Sequence, residues 1–181
     1  MKGIGICPLS SGSSGNSVLV ATPSARFLVD CGLTGKAVEN ELSSIGVNPK
    51  ELDAIIVTHE HIDHVRGAGV VSRRHNIPIA ATQKTHMAMD IGNISDENRI
   101  LINPYEDFEI GNIGIKAFQI PHDAADPVGY SFFAENKKYL EELDKKNKQN
   151  RIDVSSCKYA GKLFNTYLMY ERQDEIYIID Q

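Results

Sequence analysis

The chain has 181 residues, 41% of them apolar, and a formal net charge of −5 from 19 basic and 24 acidic side chains. That length gives one domain with room for a core, and that charge excludes a generally basic, nucleic-acid-coating surface. No apolar run approaches a membrane span, and Met1-Lys-Gly-Ile-Gly-Ile-Cys7 lacks the apolar core of a signal peptide. The expected setting is therefore cytoplasmic with no membrane partner, and Cys7, Cys31 and Cys157 are expected as reduced thiols.

Lys2 to Cys7 reads as a first strand. Pro8 to Asn16 is a Gly/Ser loop without the Gly-Lys-[Ser/Thr] of a phosphate-binding loop, so a flexible turn is expected. Ser17 to Ala21 and Arg26 to Val29 read as a hairpin. Thr34 to Ile45 reads as a helix, with Ala37, Val38, Leu42 and Ile45 on one face and Gly46 ending it.

Ala54 to Val57 is too short and too β-branched for a helix and reads as a strand buried on both faces. Thr58 ends it, and His59, His61, Asp63 and His64 follow within six positions. In an extended loop, side chains two apart point the same way, so His59 and His61 can close on one ion. Asp63 and His64 come as the chain turns, which aims them at a neighbouring position. Imidazole and carboxylate suit zinc, manganese or iron at about 2.0–2.2 Å. A histidine-rich surface loop is the plainer reading. It fits poorly, because half of the chain's six histidines fall directly behind a buried strand. The helical zinc motif H-E-x-x-H is excluded, because position 63 is aspartate.

Val65 to Arg74 reads as a helix, with His75 solvated in its exit turn, and Ile77 to Ala81 as the strand completing a βαβ unit. Thr82 to Gly92 looks helical, and its His86 has no metal-ligand neighbour, so a structural place is expected over a substrate-pocket role. Arg99 to Ile102 and Phe108 to Ile110 read as strands around the Asn103-Pro104 turn. Ile113 to Ile120 is a longer strand running into Pro121-His122-Asp123, and Gly129 to Ala134 reads as the strand after it.

His59-x-His61-x-Asp63-His64 after a strand resembles the metallo-β-lactamase superfamily of hydrolases. Phe27-Leu-Val-Asp-Cys-Gly32 is similar to the family's strand ending in an Asp-x-Gly turn. Ser10 to Asn16, together with Ile120-Pro-His-Asp123, is similar to its YycJ/WalJ-like branch, described as nuclease-like. This resemblance implies a Gly/Ser loop beside the active site as the alternative to a plain flexible turn. The resemblance runs over residues 2 to 138. It implies an α/β fold, an αββα sandwich, with one or two divalent transition metals, zinc or manganese first and iron as an alternative. His59, His61 and His122 would hold the first metal, with Asp63 and His64 offered to the second. Asp30 and Thr58 would support the metal loop. Water with its pKa lowered towards about 7 would be the nucleophile, and Asp63 would steer its proton. The implied reaction is phosphodiester hydrolysis on single-stranded or nicked DNA, with thioester or lactam hydrolysis second.

Beyond Lys138 the family continues with a bridging aspartate and a final histidine, whereas this sequence has no histidine after His122. The domain at 1–138 is therefore expected to be incomplete. Residues 139–153 read as a charged linker or short helix with Glu141–Lys145 and Glu142–Lys146 pairs. Residues 154–181 resemble the opening hairpin of the C-terminal domain of the mismatch-repair protein MutL, ending at Asp180-Gln181 before the rest of that motif. A natural fusion, a truncation and an assembly artefact all fit this pattern. The expected strands, Gly161 to Glu171 and Glu175 to Gln181, would either dock on the sheet edge left after Ala134 or pair two copies into a homodimer. The rival to an enzyme is a catalytically impaired metal-binding or assembly fragment.

Overall fold

Alternation along the strands builds the molecule. In Ser17–Ala21, Arg26–Val29 and Ala54–Ile56, the side chains of Val18, Val20, Phe27, Val29, Ala54 and Ile56 enter one core, and those of Leu19, Leu28 and Ile55 enter another. A strand with an apolar residue at every position must be covered on both faces. The computed structural model describes residues 4–134, 158–163, 167–172 and 175–180. The charged run at 139–153 lies outside them.

The first sheet has the order β1 (Gly5–Ser10), β2 (Ser17–Ala21), β3 (Arg26–Val29), β4 (Ala54–Ile56), β5 (Ile79–Thr82), β6 (Arg99–Ile102). The first three strands are antiparallel, and β3 through β6 are parallel. Helices α1 (Gly35–Ser44), α2 (Ile62–Val65) and α3 (Ala68–His75) follow β3 and β4, and α4 (Gln83–Ala88) follows β5. Val38 and Leu42 of α1, Val65 of α2 and Val71 of α3 pack with Leu28, Ile55 and Ile79 on the outer face of this sheet.

The second sheet is antiparallel throughout. Its order is β10 (Lys158–Leu163), β11 (Tyr167–Arg172), β12 (Glu175–Asp180), β9 (Val128–Ala134), β8 (Ile113–Gln119), β7 (Asp107–Ile110). Ile113, Ile115, Ala117, Val128, Tyr130 and Phe132 face the first sheet, and Phe27 meets Phe132 at 5.5 Å between ring centres.

Several boundaries depart from expectation. The first strand starts at Gly5 and runs through Pro8, which an edge strand tolerates because no ladder hydrogen bond is required of its nitrogen. The single helix expected over 65–74 is two, α2 and α3, and the helix expected over 82–92 ends at Ala88. The two strands around Asn103-Pro104 belong to different sheets, so this turn carries the chain from one layer to the other. At the C-terminus the expected hairpin is present as β11 and β12, and among the described residues a further strand, β10, precedes it. The strand expected from Gly161 to Glu171 is divided between β10 and β11, and β12 pairs with β9. The edge after Ala134 is thus covered, and Ile178 lies in the inter-sheet core at 2% exposure.

Candidate metal centre

The parallel strands β3 and β4 end side by side, and the polar residues gather in the crevice outside their carboxyl ends, the usual position for a site in such a sheet. Asp30 follows β3 with a left-handed φ of 61°, a conformation that a short polar side chain tolerates. Gly32 lies against the metal loop so closely that a Cβ there would stand 1.6 Å from the Asp63 carbonyl oxygen. Only glycine allows the Asp30-Cys-Gly32 turn to touch that loop.

The Asp30 carboxylate is wholly buried. It accepts from the Thr58 N–H at 2.8 Å, from the Thr58 hydroxyl at 2.8 Å and from His64 Nδ1 at 2.8 Å. Burial pushes its pKa up, but the His64 ring and the Thr58 N–H outweigh that and hold the carboxyl below its usual range. The same burial, with Asp30 adjacent, pushes the Cys31 thiol up, so it stays protonated and packs as a small core residue.

This carboxylate fixes two imidazole tautomers. An ionised carboxylate only accepts, so His64 donates from Nδ1 and keeps its lone pair on Nε2. The Thr58 hydroxyl spends its one proton on Asp30, so at 2.9 Å it accepts from His59 Nδ1. His59 therefore also presents its lone pair at Nε2. Burial, and then the neighbouring His64, push the His59 pKa down to about 3.

His122 arrives from the other sheet, on the loop between β8 and β9. That loop and the start of β9 are tied down at three points. Ala125 N–H donates to Glu60 Oε1 at 2.8 Å, Val128 N–H to the Thr58 carbonyl at 3.0 Å, and the buried Tyr130 hydroxyl to the Val57 carbonyl at 2.8 Å. These bonds bring the His122 ring to 4.6 Å from His59 and 5.2 Å from His61, centre to centre, with His59 and His61 4.5 Å apart. One nitrogen from each of the three rings lies within 4.8 Å of the others. His59 is buried at the base, while His61 and His122 are partly exposed.

The donor set fits a divalent transition metal. Two strand ends deliver three imidazoles to one point, and the hydrogen bonds behind His59 are of the kind that orient a metal-bound ring. Beside this group, His64 Nε2 stands 3.7 Å from Asp63 Oδ2, so these two face one another as a second pair of donors. The expected ligands of the first metal, His59, His61 and His122, are brought together, with Asp63 and His64 next to them and Asp30 and Thr58 behind.

A family model described as the metallo-beta-lactamase superfamily matches residues 11–140. The chain belongs to the metallo-beta-lactamase superfamily. Among relatives, Exodeoxyribonuclease YycJ of Bacillus anthracis is 38% identical over 138 residues, covering 75% of this chain and 52% of that protein. Exodeoxyribonuclease WalJ of Streptococcus pneumoniae is 37% identical over 136 residues, covering 73% and 51%. The chain thus spans about half the length of these curated relatives. Among solved structures, Rm3 metallo-beta-lactamase superposes with a TM-score of 0.59 at 20% identity, over 74% of this chain and 58% of that one. The layered α/β sandwich is thus that of the superfamily.

Within this superfamily fold, His75 stands otherwise than the sequence suggested. His75 is the last residue of α3, and its Nε2 lies 2.8 Å from Glu39 Oε1 rather than in solvent. His86 lies buried with Nε2 3.0 Å from the Ile100 carbonyl, a structural contact away from the histidine group. The Gly/Ser loop is closed by its own hydrogen bonds, from Ser10 Oγ to the Gly15 carbonyl at 2.9 Å and from Gly12 N–H to Asn16 Oδ1 at 2.8 Å. Asn16 is the residue that sequence reasoning missed. It is 1% exposed, and its Nδ2 lies 3.1 Å from both Asp63 Oδ2 and His64 Nε2. The available signal was a single amide ending a run of small residues directly before an apolar strand.

Proposed function

We propose that this chain is a metal-dependent hydrolase acting on phosphodiester bonds of nucleic acid, with single-stranded or nicked DNA as substrate. The observation that carries the reading is the convergence of His59, His61 and His122 from the ends of β4 and β8. The nuclease names of YycJ and WalJ support the substrate class. His59, His61 and His122 would hold the first divalent ion, zinc or manganese, and Asp63 and His64 a second. A metal held there supplies Lewis-acid stabilisation of phosphoryl charge and a lowered water pKa. The protein's own part is to hold His59 and His64 in the Nε2-presenting tautomer through Thr58 and Asp30, and to keep the Asp63 carboxylate beside the pair as proton acceptor.

Purified protein should retain about one tightly bound transition metal per chain. The His59→Ala/His61→Ala double variant should retain none by elemental analysis. Manganese-dependent cleavage of single-stranded DNA should be lost in the same variant, and unchanged metal content there would remove the basis of the proposal. A second reading is a metal-binding protein without catalysis. One bound ion with no cleavage would select it. The division into 1–138, 139–153 and a MutL-like 154–181 stays a proposal. A homodimer through the C-terminal strands would now have to use β10, the outer edge of the second sheet, because both edges of β12 are taken. Sedimentation velocity tests it.

A further inference from the structure

We infer that the Asn16 side-chain amide caps the Asp63–His64 pair, so that a second metal ion enters only by displacing it. The inference deepens the proposed metal centre and rests on that reading. The orientation of the amide is fixed by its other end. Gly12 N–H can only donate, so the atom it meets at 2.8 Å is Oδ1, and the end facing the pair is the NH2 group. That group lies 3.1 Å from Asp63 Oδ2 and 3.1 Å from His64 Nε2, two acceptors 3.7 Å apart.

The His64 tautomer makes this contact exclusive. Asp30 takes the Nδ1 proton, so Nε2 holds one in-plane lone pair, and the amide hydrogen and a cation compete for it. An NH2 group has no lone pair to offer a metal, and its hydrogens carry positive charge into the position a cation would take. The backbone holds the cap in place. Asn16 N–H donates to the Asp63 carbonyl at 2.7 Å, and the Asn16 carbonyl accepts from Gly32 N–H at 2.8 Å. At 1% exposure, the side chain has no solvent into which it can swing freely. Displacing this cap costs the second ion affinity, so loading is sequential and the second ion binds more weakly.

Equilibrium dialysis against zinc and manganese, with elemental analysis, tests the cap without reference to catalysis. Asn16→Asp keeps an oxygen for Gly12 N–H and replaces the donor end by a carboxylate oxygen. Asn16→Ala removes the cap outright. Both should tighten the second equivalent by about two- to tenfold, the worth of roughly one net hydrogen bond, and leave the first unchanged. A second equivalent unchanged or weakened in both variants overturns the cap. Loss of the first equivalent from the unaltered protein would instead count against the metal centre itself. A measurement on the unaltered protein covers variants that fail to fold. During zinc titration, the Asn16 side-chain amide resonances should stay fixed through the first equivalent and shift with the second. Resonances that stay fixed throughout overturn the inference.

Discussion

Asp30 accepts from the Thr58 N–H, the Thr58 hydroxyl and the His64 ring, and none of these donors can turn away in a wholly buried site. Asp30→Asn is nearly isosteric, yet it exchanges one acceptor oxygen for an NH2 group. The oxygen can still receive the Thr58 N–H, but the NH2 then faces the Thr58 hydroxyl and His64 Nδ1. His64 is driven to the other tautomer, with its proton on Nε2 and no lone pair for a cation. Thr58 can turn its proton toward His59 and displace the proton from Nδ1. Loss of such an orienting partner typically costs 10–100-fold in metal affinity, and about that loss is expected in competition with a zinc chelator. An Asn variant that holds zinc as tightly as its parent would show that the tautomers are fixed by something other than Asp30. Gly32 shows the same dependence on one atom, since even the Cβ of alanine would meet the Asp63 backbone.

Strand β12 decides how the C-terminal segment sits. Its Ile178 lies opposite Tyr130 in the ladder and 2% exposed in the inter-sheet core. Replacement of Ile178 by aspartate would put a charge among Ile115, Tyr130 and Phe132, with an expected loss of about 3 kcal/mol or more by urea unfolding. An unaltered midpoint would mean that β12 does not dock on β9 in solution. The need for this strand to dock was legible, because its apolar residues cannot stay solvated in a lone hairpin. β10 was not legible as a strand from its start, because Lys158-Tyr-Ala-Gly-Lys-Leu163 has no β-branched residue and interrupts the alternation with glycine. The histidine motif and the βαβ unit around it were legible because ligand spacing and strand burial are local properties. Contacts of Glu39 with His75, and of Asn16 with His64, join residues 36 and 48 positions apart, and no local pattern announces them.

Two buried imidazoles, His59 and His86, are held neutral by the fold, and the stability of the metal-free molecule as a whole should therefore depend on pH. Burial pushes His59 down to about 3, with His64, His61 and His122 adding to the effect and Asp30 opposing it. Burial also lowers His86, helped by Arg99 and opposed by its bond to the Ile100 carbonyl and by the nearby Ile79 backbone. An unfolded histidine takes up a proton near pH 6.5, whereas these two in the folded chain do so only at lower pH. Between those values the unfolded state binds more protons, so stability rises with pH there. The contribution is complete above about pH 6.5 and is lost progressively as pH falls toward the folded values, at most about 1.4 kcal/mol per pH unit for each group. Urea midpoints of chelator-treated protein should therefore decline steadily from pH 7.5 to 5. His86→Gln separates the two shares, because glutamine can still donate to the Ile100 carbonyl but does not titrate. Its slope should be shallower than the parent's, with the His59 share remaining. Equal slopes would mean that His86 titrates in the folded protein as it does in the unfolded chain, and that its burial does not hold it neutral.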